Sequence, residues 1–179
     1  MLGVQEMQFS LKPIGHVAAD ASHEELRHRT AVSKIIIDRK YARGLKDLEG
    51  FSHMYVLFLL HEAPKWRGNL MIHPRGRSDL EERGVFATRS PHRPNPIALT
   101  LVRLLSKRGG VLTVKGLDAY DGTPVLDLKP YDRHDSTPRP RVPLWWRELE
   151  REGKRARRSQ NTGLVERVHR AGRFGSKTR

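Results

Sequence analysis

The chain has 179 residues, of which 37% are hydrophobic, enough for one full-sized domain with an extension and too little for two large ones. It contains no cysteine, which excludes a disulfide framework, a cysteine nucleophile and thiolate metal sites, and is compatible with a reducing cytoplasm. The formal net charge is +14, unevenly placed: residues 151–179 hold ten Lys/Arg against two Glu, a net of +8, which leaves +6 for the preceding 150 residues.

A basic tail on a moderately basic body is the footprint of a phosphate-backbone binder, although charge alone also describes a solvated tail that promotes solubility. The sequence shows no signal-peptide pattern, and the apolar run Val56–Leu60 is far below the roughly 20 residues that span a bilayer, so the expectation is a soluble, cytoplasmic protein.

In chain order, Phe9 to Val17 reads as a broken alternating strand and Ser33–Ile37 as a β-branched one. Met54–Leu60 is a continuous apolar run of the kind expected in a strand buried on both faces. Ile97–Leu105 and Val111–Leu117, joined by Gly109-Gly110, read as a hairpin; Asp121-Gly122 is a turn, and Pro124–Lys129 another short strand. Several short strands with turn signals at brief spacing predict a mainly β fold, a closed or nearly closed barrel. Helical periodicity is weak before Leu144, where Leu144, Trp145 and Leu149 fit one face of a short helix. Pro138, Pro140 and Pro143 precede it, so the expected division is a barrel domain over 1–143 and a helix with a basic extension over 144–179.

The stretch Gly84–Ile97 is the densest in information. An apolar strand start runs into polar residues whose backbone is stiffened by Pro91, Pro94 and Pro96, each fixing its own φ and pushing the residue before it toward extended geometry. That suits a preorganised site as well as a stiff connector. Further polar clusters border strands: Ser52-His53, His61-Glu62, Asp118 to Asp121, and Asp127 with Lys129, Tyr131 and Asp132. Barrel rims can gather such clusters.

Several chemistries can be weighed on these residues. His53, His61, His73 and His92 have no compact metal-ligand spacing, so no metal is expected. Asp118, Asp121 and Asp127 could hold Mg²⁺ for a nuclease, or simply shape turns beside Gly122. No GxGxxG, GxxxxGK[ST] or GxSxG is present, which removes support for a dinucleotide fold, a P-loop or a nucleophile elbow at Ser52 or Ser90.

Four ordered segments resemble the motifs of the TrmO (TsaA-like) family: Leu48-Glu-Gly-Phe-Ser-His53, Gly84-Val-Phe-Ala-Thr-Arg-Ser90, Arg93-Pro-Asn-Pro-Ile97 and Asp121-Gly-Thr-Pro-Val-Leu-Asp-Leu-Lys-Pro-Tyr131. The resemblance covers roughly Phe9 to Tyr131 and stops before the basic tail. It implies a single-sheeted β-barrel that binds S-adenosylmethionine, forms a homodimer, and methylates N6 of threonylcarbamoyladenosine beside the tRNA anticodon. A small-molecule methyltransferase or a non-enzymatic RNA-binding barrel are the rival functions. Carried over by position, the resemblance implies cofactor contacts from His61, Glu62, Arg89, Leu99 and Lys115-Gly116-Leu117-Asp118. It makes Asp118, Asp121, His61 and Tyr131 the polar candidates near the transferred methyl group. Leu26-Arg-His-Arg-Thr30 stands where bacterial members have a Pro-Arg-Gln-Pro-Gly-type loop, so that part of the pocket does not transfer.

Overall fold

Period-two alternation of apolar residues builds the fold. In the computed structural model, which describes residues 10–155, a single antiparallel sheet closes on itself in the order β1-β2-β7-β6-β3-β8. Its members are β1 (Gly15–Ala18), β2 (Val32–Ile37), β3 (His53–Leu59), β6 (Ile97–Arg108), β7 (Val111–Lys115) and β8 (Pro124–Pro130). The two-residue strands β4 (Met71–Ile72) and β5 (Arg83–Gly84) pair with each other inside the β3–β6 connection. Phe9 and the tail from residue 156 lie outside the described residues.

The chain divides into compact units at Asp135/Ser136. In the second unit, residues 144–155 are helical, with Trp145 and Trp146 meeting edge to face, Leu149 buried and Leu144 exposed. Among the described residues no helix is long and apolar enough to cross a membrane.

A barrel this narrow has room inside only for side chains. Val17, Ile35, Met54, Val56, Phe58, Val102, Leu112, Val114 and Val125 fill it and are almost wholly buried. The expectation of a strand buried on both faces fails at β3, where Met54, Val56 and Phe58 point in while Tyr55, Leu57 and Leu59 are only half-buried. A single closed sheet has one interior, so the second apolar set of β3 faces outward. Two further differences are local. Val85–Ala87 is a 3-10 turn rather than a strand start, and a helix not anticipated from periodicity, α1 (His23–His28), lies between β1 and β2.

Because every neighbouring pair is antiparallel, successive connections alternate between the two ends of the barrel. Residues 19–31, 60–96 and 116–123 all reverse the chain at one end. Residues 38–52, the Gly109-Gly110 turn and the segment after β8 lie at the other.

Gly15 sits where β1 is bonded on both sides, opposite Ile37 and Val125, and a Cβ there would overlap the Ile36 carbonyl. Gly15→Ala should therefore lower the unfolding free energy by at least about 1–3 kcal/mol in a denaturant titration, the usual range for forced overpacking. Wild-type stability in that variant would mean that the strand pair tolerates a wider spacing.

Candidate active site

The end that carries three connections holds a cavity of about 1060 Å³. Its floor is apolar, formed by Leu26, Phe58, Leu60, Ile97, Ala98 and Leu99. Cations surround that floor: Arg27 and Arg29 from the α1 segment, Arg89 and Arg93 from the β3–β6 connection. Asp118, Thr100 and Tyr120 join the lining from the strand ends and the β7–β8 turn, and His23 and Glu24 of α1 with Ser90 and Pro91 complete it. An apolar pocket with a few convergent polar groups is the usual form of a small-molecule site.

Each wall is fixed by identifiable bonds. The β3–β6 excursion is closed at its base by the Leu60 N–H donating to the Pro96 carbonyl at 2.7 Å. Arg93 staples the loop from within, donating to the carbonyls of Ser90 (2.9 Å), Thr88 (2.9 Å) and Val85 (3.4 Å). Arg89 donates once, through Nη2 to the Leu99 carbonyl at 2.7 Å. A guanidinium has five N–H donors, so most of Arg89's remain for a ligand.

On the facing wall, α1 begins with a capping box in which the Ser22 hydroxyl accepts from the Glu25 N–H and the Glu25 carboxylate accepts from the Ser22 N–H. The Ser22 hydroxyl also donates to that carboxylate and, with the backbone bond, holds the Glu25 carboxyl below its ordinary pKa. The helix ends at Arg29, which takes a left-handed conformation (φ 56°) normally left to Gly or Asn. Its guanidinium donates to Asp118 Oδ2 through Nε (3.1 Å) and Nη2 (2.8 Å), while Asp118 Oδ1 accepts from the buried Thr100 hydroxyl at 2.5 Å. Asp118 is thereby oriented by two elements, β6 and the α1 segment.

The domain family described as the tRNA-methyltransferase O N-terminal domain matches residues 20–136 of this chain, a stretch that contains all three walls of the cavity. The chain belongs to the tRNA-methyltransferase O family. It is 53% identical over 98 residues to a probable S-adenosyl-L-methionine-binding protein of Archaeoglobus fulgidus, an alignment covering 55% of this chain and 26% of that protein. It is 38% identical over 130 residues to the tRNA (adenine(37)-N6)-methyltransferase of Rattus norvegicus, covering 73% of this chain and 30% of that one. The chain thus spans less than a third of the length of these two relatives. The crystal structure of TrmO from Pseudomonas aeruginosa superposes with a TM-score of 0.62 at 30% identity, covering 87% of this chain and 76% of the other.

The candidate residues fall into four groups. Arg89, Leu99 and Asp118 line the cavity. His61, Glu62 and Asp121 stand at the same barrel end without lining it: His61 Nδ1 lies 3.3 Å from the Thr123 hydroxyl and His61 Nε2 lies 3.9 Å from Glu62, while Asp121 accepts from the Ala19 N–H at 3.0 Å. Lys115, Gly116 and Leu117 lead into Asp118, but Leu117 is fully buried in the core and the Gly116 N–H bonds the Ala31 carbonyl, so neither faces the cavity.

Tyr131 is placed elsewhere. It follows β8, whose end pairs with the beginning of β3, and its ring packs edge-on against His53 and Tyr55 at the barrel end away from the cavity. Seven residues of strand separate the two ends of β8, on the order of 20 Å at the usual rise per residue. Sequence reading placed Arg93 and Tyr120 in polar clusters, and Arg29 in a loop that does not transfer, without giving any of them a site role, and it missed Thr100. Among the described residues no group of three His, Cys, Asp or Glu could hold a metal ion.

Arg93→Ala removes every bond of the staple. Hydrogen exchange of the backbone amides over residues 86–92 should quicken by at least roughly tenfold, because bonds from a charged donor contribute about 1.5–3 kcal/mol, while amides of β2, β6 and β7 keep wild-type protection. Unchanged exchange over 86–92 would assign the loop's order to its prolines alone.

Proposed function

We propose that this chain binds S-adenosylmethionine in the cavity and methylates tRNA, at N6 of threonylcarbamoyladenosine next to the anticodon. The observation that carries the reading is the meeting, in a barrel of this family, of an apolar floor with an arginine whose donors are mostly free. The relatives named for S-adenosylmethionine binding and for tRNA adenine methylation support it.

The residues suit such a donor. Leu60, Ile97 and Leu99 offer apolar surface to its nucleoside, and Arg89 offers a planar fork to its carboxylate. When bound, S-adenosylmethionine supplies an electrophilic methyl group on a sulfonium. The protein has to align acceptor nitrogen and methyl carbon and to keep water away, which the apolar floor does. A carbamoylated adenine nitrogen carries a proton and a delocalised lone pair, so a hydrogen-bond acceptor beside it aids the attack. Asp118 is suited to that role, being a carboxylate in the cavity wall held in place by Thr100 and Arg29. His61 and Asp121 serve the rim in this account, supporting the turn that presents Asp118 and Tyr120.

Two wider features belong to the same proposal. The +8 segment 151–179 attracts the RNA backbone electrostatically in the cytoplasm. The outer side of the β3–β6 pair carries Leu57 and Leu101, an apolar strip beside the cavity that suits the interface of a homodimer.

Calorimetry in the presence of a chelator should give stoichiometric S-adenosylmethionine binding, with Arg89→Ala weaker by about 1.5–3 kcal/mol, the range for a lost charge-assisted hydrogen bond. Binding that needs an added metal, or an Arg89→Ala affinity equal to wild type, would contradict this account of the donor site.

A further inference from the structure

The proposed methyl transfer leaves one feature of the cavity unused. Tyr120 lines it, is 39% exposed, and has its ring centroid 4.9 Å from that of His23, tilted by 45°. The two rings come from different connections, α1 and the β7–β8 turn, and are held together by more than their own contact. Arg29, which ends α1, is ion-paired to Asp118, two residues before Tyr120, and the Tyr120 carbonyl accepts from the Thr123 N–H. Tyr120 thus presents a solvent-accessible π-face in a cavity also lined by Arg27, Arg29, Arg89 and Arg93.

Resting on the RNA methylation reading above, we propose that Tyr120, steadied by His23, is the stacking surface for the acceptor nucleobase of the RNA. The compact donor can settle on the apolar floor, with its carboxylate toward Arg89. The base to be methylated belongs to a macromolecule and has to enter from solvent, so it meets the rim, where these rings stand. A base drawn from its own stack needs a replacement π-face, and an aromatic side chain provides one without reading sequence. The nearby arginines suit the phosphates on either side of that base.

The test uses the full chain and an anticodon stem-loop RNA with 2-aminopurine at the acceptor position, whose emission is quenched when the base stacks. Wild type and Tyr120→Phe should quench it, whereas Tyr120→Ala and the bulk-preserving Tyr120→Leu should not. RNA dissociation constants should rise roughly 5- to 150-fold in those two variants, the span one base–aromatic stack provides. S-adenosylmethionine affinity should stay within about twofold of wild type. Quenching that survives in Tyr120→Leu would overturn the inference while leaving RNA methylation standing. Loss of donor affinity in step with RNA affinity would overturn it by assigning the ring to the donor's own adenine. A wild-type chain that binds no RNA would remove both the inference and the reading it rests on.

Discussion

The pairing of β1 with β8 closes the sheet, and the cavity depends on it. Only Gly15 and His16 of β1 pair with β8, opposite Val125 and Pro124. Backbone bonds extend the seam beyond the ladder, from Ile14 N–H to the Val125 carbonyl (2.8 Å) and from Val17 N–H to the Thr123 carbonyl (2.9 Å). At the cavity end the same seam runs into the Asp121–Thr123 turn, where the Gly122 N–H bonds Val17 and Asp121 holds the Ala19 N–H. Closure therefore sets both the core and the rim on which Asp118 and Tyr120 stand. An open sheet would leave β1 and the start of the 19–31 connection free to separate from the Asp121–Thr123 turn, although the β2–β7 ladder would still hold Arg29 beside Asp118.

The walls of the cavity are held by unequal forces. An exposed ion pair such as Arg29–Asp118 contributes about 0–1 kcal/mol by itself, because water screens it and two long side chains lose freedom. The Thr100 hydroxyl changes the balance at Asp118, since Thr100 is buried in β6 and leaving its hydroxyl unsatisfied would cost more than the bond gains. On the opposite wall the prolines restrict the unfolded loop, while Arg93 organises the folded one by gathering carbonyls that would otherwise point in different directions. The two arginines of Arg89–Arg93 thus divide labour: Arg93 is spent on the loop, and Arg89 keeps donors for a ligand.

Much of the barrel was legible in the sequence because alternation and turn chemistry are local signals. Gly109-Gly110 and Asp121-Gly122 mark turns that the structure contains, and β2, β3, β6, β7 and β8 lie where apolar periodicity puts them. α1 was missed because six residues give too little helical periodicity, yet Ser22 followed by Glu25 and Leu26 is a capping-box signature that marks its start. Strand parity was also available. Asp118 and Asp121 precede β8 and Tyr131 follows it, so one traverse of the barrel has to separate them. What no local pattern carries is long-range pairing: nothing near Arg29 in the chain announces Asp118, 89 positions away, whereas Thr100 and Asp118 stand on the two arms of the hairpin that the turn glycines do announce.

The central claim is that the cavity is where a methyl group passes from S-adenosylmethionine to tRNA. The most direct measurement is incubation of the full chain with tRNA carrying threonylcarbamoyladenosine and donor bearing an isotopically labelled methyl group, followed by nucleoside mass spectrometry. The account predicts one labelled methyl on the threonylcarbamoyladenosine nucleoside and a lower rate of its formation when Asp118→Asn replaces the wild-type chain. Labelled methyl on no nucleoside, with the donor bound and the tRNA intact, would contradict it.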